Sequence, residues 1–450
     1  MIVRRRRRWG WVLVLSLLIA ACTSGAASPD GASSTPEDPV DSAPSTTDAG
    51  SPPSDCASFG EGVEWQPEAG VEAEVVQEQT AETPGVALVM YPRLDYEGKP
   101  WSQWGQGIAT ADGKFYSGLG DHHGADGNSF IYEYDPDSLT LTPIVDVLAT
   151  VPHEPGAWGF GKIHAQMVMG GCGEIYVATY WGSRRGLTFT NGYEGDILLR
   201  LDPATRSTTN VGVILPEHGV ASMAAAPDGS LVYAEAADPF GEKVGSFVVL
   251  DPLTGEEIFS DDDPSHGGYR SIAVAADGSA YITWNDSGLA RYDPVTNTLE
   301  ETEAIMPGGL LRAATVPDAD GRIYAVSRDP AMFFAIEPDG TITELGPAAG
   351  YTTSMALAPD GEHFYYVPDA HGGAWESGTP LIAVDTTTGE SEVVVELNPL
   401  VEVLYGLQAG GTYNVVVSTD GSTVFVGLNA GDPATRDSFG EVVLAVVTLP

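Results

Sequence analysis

Lysine is almost missing from this chain of 450 residues: four occur, with 16 arginines, against 63 acidic residues. The net charge of −43 leaves no basic stripe able to displace counterions from phosphates, so nucleic acid is not an expected partner. Cysteine is scarcer still, with three. Long apolar runs are absent apart from Trp9–Ile19, which is short for a membrane span. No Gly-x-Ser-x-Gly elbow, phosphate loop or dinucleotide fingerprint stands in a suitable context, which removes the commonest hydrolase and nucleotide chemistries. What the chain has instead is turns, with 54 glycines and 32 prolines.

Met1–Ala21 reads as a targeting segment: Arg4 to Arg8 supply a positive start, an apolar stretch follows, and Ala20-Ala21 precede Cys22. The run Ile19-Ala20-Ala21-Cys22 resembles the bacterial lipobox, which implies cleavage before Cys22 and its lipidation. An ordinary secretory signal or a single membrane helix is the competing reading. Lipidation puts the protein outside the cytoplasm, held to the bacterial cell membrane by acyl chains. Loss of residues 1–21 leaves 15 basic against 63 acidic residues, a charge of −48 that favours solubility outside the cell. Residues 22–58 form the lipidated cysteine and a tether. Within it, Thr23 to Asp55 carries no Lys, Arg, aromatic, Leu or Ile and buries no core. Cys56 and Cys172 remain, and a disulfide between them is expected in that compartment.

Residues 59–450 are dominated by one phrase: a small-apolar run, a glycine turn, then a strand bearing Tyr or Phe. The turns fall at Asp112-Gly113, Asp228-Gly229, Asp277-Gly278, Asp320-Gly321, Asp360-Gly361 and Asp420-Gly421, with Cys172-Gly173 as a worn second member. Seven turns at a mean interval of about 51 residues indicate a repeat architecture. Between them stand Tyr134-Asp-Pro136, Leu201-Asp-Pro203, Leu250-Asp-Pro252, Tyr292-Asp-Pro294, Ile336-Glu-Pro338 and Val384-Asp385-Thr. Two hairpins per repeat make four antiparallel strands. The fold expected is all-β: a seven-bladed β-propeller of four-stranded antiparallel blades. The last repeat runs out after three strands, so an N-terminal strand must close the ring. Val71–Val76 and Val86–Tyr91 are the two candidates.

These phrases resemble the broad seven-bladed superfamily that includes gluconolactonases, streptogramin lyase and the YVTN-type surface propellers. The acidic metal ligands of gluconolactonases are not recognisable, so that activity does not carry over. Tight Asp-Gly and Asp-Pro turns occupy one face of such a ring. The long connections Gly118–Ser129, Thr150–Phe160, Tyr180–Glu194 and Pro368–Thr379 occupy the other, where function usually sits. His122, His123, His153, His164, His218, His266 and His371 map to that second face, and only His363 to the first.

Aligning the inner strands on their turns places Gly105, His164, Ala221, Arg270, Arg312, Thr353 and Tyr413 at the mouth of the central channel. Arg328, Arg184 and Arg185 lie in loops on the same face. Rim salt bridges would be their bland explanation; an anion receptor is the functional one, because guanidinium forks match carboxylates and phosphates. Trp104, Trp158, Trp181, Trp284 and Trp375 suit either sugar rings or packing. The expected function is therefore a cell-surface lipoprotein holding a small anionic or carbohydrate ligand in this funnel, with Gln106, Trp181, Arg184, Trp284, Arg328, His371 and Tyr413 as binding residues. Two alternatives stand beside it: a protein–protein scaffold, and an enzyme, either a carbon–oxygen lyase or a hydrolase acting on carbohydrate. A weaker resemblance to propeller polysaccharide lyases implies action on a uronic-acid glycan, with His123, His164, Tyr180, Arg270 and Arg312 as its catalytic set. A divalent metal on His122, His123 and His164 would assist it. A monomer is expected.

Overall fold

The computed structural model describes Cys56 and residues 62–66, 68–151, 153–240, 245–267 and 270–450. The targeting segment, Cys22 and the tether, apart from Cys56, lie outside the described residues. Seven antiparallel sheets follow one another along the chain, each with its first strand innermost. The inner strands are Ile108–Ala109, Val168–Met169, Gly219–Ala225, Ala273–Val274, Leu311–Pro317, Met355–Leu357 and Gln408–Val417, which begin blades 1 to 7.

The repeated phrases have local physical causes. At each first turn the glycine sits at φ between +69° and +85°, where a side chain is strained, and its N–H donates to the carbonyl three residues back at 2.8–3.2 Å. Gly173 adopts φ +85°, the same as Gly113, so Cys172-Gly173 is a full member of the series. In the second phrase the aspartate caps its own turn. Asp135, Asp202, Asp251, Asp293 and Asp385 each accept the N–H two residues on, at 2.8–2.9 Å.

The aromatic residue after each glycine turn is the mortar between blades. Phe115, Tyr116, Tyr176, Tyr233, Phe364 and Phe425 are at most 1% exposed. Phe115 of blade 1 stacks on Phe425 of blade 7 at 4.8 Å. Seven hydrophobic clusters result, one for each pair of neighbouring blades, so every blade depends on the two beside it.

Four N-terminal strands complete the ring: β1 (Val63–Glu64), β2 (Val71–Glu72), β3 (Glu74–Gln77) and β4 (Gly85–Met90). Of the two candidate closers, β4 does it, pairing with Glu441–Thr448 from Thr448↔Gly85 to Val443↔Met90. Its central residues are fully buried, whereas β3 merely adds a fifth strand outside it. The chain then straps the outer rim: β2 pairs with blade 1 at Val71↔Leu141, and β1 with blade 2 at Val63↔Thr208. Cys56, just before the strap, is disulfide-bonded to Cys172 in the blade 2 turn.

Candidate functional site

The segment entering blade 2 runs extended, so alternate residues face the channel mouth. Lys162 is fixed there by a two-way backbone bridge with Tyr180, at 3.1 and 2.9 Å. Two residues on, His164 is buried and its Nδ1 lies 2.9 Å from the Ala221 carbonyl. A carbonyl only accepts, so Nδ1 carries the hydrogen. Nε2 is left as an acceptor, and the Arg270 guanidinium donates to it. Burial, reinforced by Arg270 and Lys162, holds this imidazole far below its usual pKa, and it is neutral.

Arg312, in the inner strand of blade 5, is 4% exposed. Its Nε donates to Tyr351 Oη at 2.7 Å, and its guanidinium lies 5.4 Å from that ring. The Lys162 ammonium sits 4.8 Å from the Trp104 ring and 5.8 Å from that of Trp181. Burial, then Arg270 and Arg184, push its pKa down to about 8. Among the described residues, no ion pair within 4.0 Å involves Lys162, Arg270 or Arg312. Three cations are thus gathered at one mouth in a protein with a large excess of acid, and among the described residues none of them is in direct contact with a carboxylate.

An aromatic wall faces them. Trp104 lies parallel to Phe439 at 5.4 Å, and 4.8 Å from Tyr413. Its indole N–H donates to Ser102 Oγ at 2.7 Å, and Ser102 in turn is 2.6 Å from His122 Nε2. Burial holds His122 down to about 2, so it too is neutral. On the far side His371 stacks on Tyr351 at 4.9 Å, and its Nδ1 is 2.5 Å from Tyr413 Oη. Burial lowers the His371 pKa, with Arg312 adding to it, and burial raises that of Tyr413. Beside this pair opens a cavity of about 570 Å³ lined by Arg328, Pro330, Met332, Pro347 and Tyr351.

Below the funnel, amides sew the inner strands together. The Gln106 Nε2 donates to Val415 O at 2.8 Å, Asn414 Oδ1 accepts from Gly107 N at 2.8 Å, and Ser354 Oγ from Val415 N at 2.9 Å. These side chains satisfy backbone groups that face the channel rather than another strand. An apolar channel of about 580 Å³ continues beneath them, lined by inner strands of all seven blades, Met167, Met223 and Leu357 among them.

The structure therefore brings together His164, Tyr180, Arg270, Arg312, His371, Tyr413 and, at the rim, Trp181 and Arg184, which reaches Pro239 O at 3.3 Å. It separates others expected at the site. His123 is exposed, and its Nδ1 lies 3.9 Å from Asp121 Oδ2. The proposed metal triad does not form: His122 Nε2 is taken by Ser102, both His164 nitrogens are engaged, and no described group of three ligating side chains fits an ion. Gln106 is held by backbone carbonyls. Trp284 packs between blades 3 and 4 and against His266, which pairs with Asp261 at 2.8 Å. His153 and His218 bond to carbonyls in their own loops. Of seven histidines on this face, three meet in the funnel. Lys162, Tyr351 and Phe439 were not foreseen. Period-two alternation would have found the first two, each two residues before an aligned mouth position, His164 and Thr353.

No protein-family model matches the sequence, and no curated protein matches it. Solved structures do. Virginiamycin B lyase from Staphylococcus aureus aligns with TM-score 0.52 at 14% identity, over 81% of this chain and 100% of that one. A streptogramin B lyase structure aligns at 0.51 and 15%, over 82% and 100%. A structure of WD40 repeats gives 0.53 and 9%, over 84% and 100%. Two lyases and a set of WD40 repeats align equally well, so the likeness is one of fold.

Proposed function

We propose that the funnel is a receptor for a small anionic ligand, a carboxylate-bearing sugar or acid, held by Arg270 and Arg312 and stacked on the Trp104 wall. The observation that carries this reading is the cluster of Lys162, Arg270 and Arg312 without a carboxylate partner among the described residues. Burying a guanidinium without a counter-ion costs several kcal/mol, and a bound anion would recover that cost. Arg312→Met is the test. Calorimetric titration with uronic acids and small carboxylates is expected to show binding to the native chain and at least about a hundredfold loss in the variant, from a charge-assisted bond worth up to about 3 kcal/mol. The melting temperature should stay level or rise, since a desolvated cation is removed. A lower melting temperature with binding intact would make Arg312 a structural residue.

One observation favours a lyase acting on a uronic-acid glycan: the His371–Tyr413 contact of 2.5 Å beside the cationic cluster. His164 has no free nitrogen for proton transfer, so the acid–base work would pass to this pair, with Arg312 on the carboxylate. Absorbance near 235 nm, where unsaturated uronates absorb, separates the readings: a rise with any uronate polysaccharide makes the protein an enzyme.

The anchor belongs to the same proposal. Lipidated Cys22 and the tether would meet the propeller beside Cys172, on the tight-turn face, and the funnel would look away from the membrane. Cys22→Ser is expected to release the protein into the medium; retention of the variant on membranes would exclude lipid anchoring.

A further inference from the structure

We propose that Lys162 is a reactive amine, which condenses with the carbonyl carbon of a small oxo-acid whose carboxylate rests on Arg270. The inference builds on the anion receptor above and adds covalent chemistry to it.

Three lysines are described, and two have ordinary roles. Lys99 Nζ is 2.8 Å from Glu441, and Lys114 Nζ is 3.4 Å from Glu133. Lys162 Nζ has no oxygen within hydrogen-bonding distance among the described residues; its neighbours are the faces of Trp104 and Trp181. An ammonium there has only indole faces in place of oxygen acceptors, and that attraction is weaker than the hydrogen bonds to water it gives up, a loss the neutral amine largely avoids. The flanking side chains press the same way. Arg270 and Arg184 add like charge, and the nearby imidazoles of His122 and His164 are neutral and offer no compensation. A desolvated lysine beside other cations is the arrangement that makes an amine nucleophilic at neutral pH. With its pKa at about 8, about a tenth of the amine is free at pH 7, against less than about one part in a thousand for an ordinary lysine. The side chain is half-buried and open to the funnel, where the guanidinium that lowers its pKa can also hold a carboxylate.

The step balances without a redox partner. The amine nitrogen attacks the carbonyl carbon, a C–N bond forms, and the carbonyl oxygen leaves as water with two hydrogens from the lysine nitrogen. The product is an imine, and cyanoborohydride traps it by delivering hydride to the imine carbon.

The test uses the full chain, pyruvate and cyanoborohydride, with peptide mapping by mass. One reduced adduct is expected at Lys162, formed roughly tenfold or more faster than at Lys99 or Lys114. It should vanish in Lys162→Arg, weaken in Arg270→Met, and be competed by lactate, which has the carboxylate but no carbonyl. Label spread evenly over the lysines, or missing from Lys162, overturns the proposal. If lactate perturbs tryptophan fluorescence in an Arg270-dependent way while Lys162 stays unlabelled, the reactive amine falls and the anion receptor stands. If methyl pyruvate labels Lys162 as fast as pyruvate and lactate does not bind, the amine stands and the receptor falls.

Discussion

At the scale of single residues, the funnel is built from groups whose pKa values burial displaces. Lys162 sets a pH dependence for ligand binding. Its ammonium attracts the anion, and its pKa in the free protein is about 8. Affinity should therefore be full below about pH 8 and decline as pH rises through that value. Lys162→Met should abolish the decline and cost about tenfold in affinity, the lower end of a charge-assisted contact. Titrations at pH 6.5 and 9.5 on both proteins check this. Glu235 sets a different dependence. It is completely buried behind Ser222, and burial raises its pKa to about 8. Between its ordinary range near 4.5 and about 8, the folded chain keeps a proton that the unfolded chain releases, so stability falls as pH rises across that window. Asp121, raised by burial to about 6, acts in the same direction. Neutral His122 and His164 oppose this below about pH 6.5, where the unfolded chain binds protons that the folded chain does not, so the melting temperature should fall between about pH 6.5 and 8, and Glu235→Gln should flatten that fall.

Among elements, the N-terminal strap carries separable loads. Cys56 and Cys172 stand 116 residues apart, so their bond removes loop-closure entropy worth about 4–5 kcal/mol from the unfolded state. Cys172→Ser should lower the guanidinium midpoint accordingly and leave anion binding unchanged, because the blade 2 turn lies at the far end of the channel from the funnel. Equal midpoints with and without reductant would limit the bond to a local role. Strand β4 is a different case. It supplies the outer partner of Glu441–Thr448 and the buried Val86 and Leu88. A chain beginning at Pro92 should be insoluble, while one beginning at Gln79 should fold, with light scattering and circular dichroism as the readouts.

For the molecule as a whole, the fold was legible where one residue answers one backbone demand. Gly113, Gly229 and their counterparts are required by positive φ, and Asp135 and Asp202 by the N–H two residues on, so the blades could be counted from the chain alone. The site was legible only where alignment on those turns projected a residue inward, as for Arg270, Arg312 and Tyr413. It failed for Gln106, which meets backbone carbonyls, and for Trp284, which ends the second strand of blade 4 and packs against a neighbouring blade. It failed for His123, an exposed loop residue beside Asp121, because no strand period fixes the direction of a loop side chain. The strap has one more consequence, and it is mechanical. A pull applied ahead of Cys56 passes through the sulfur–sulfur bond into blade 2, so β1 to β4, and the seam that closes the ring, lie outside the path of the force. Shear on a tethered molecule would then load a covalent link in mid-ring while the zipper between the first and last strands stays slack.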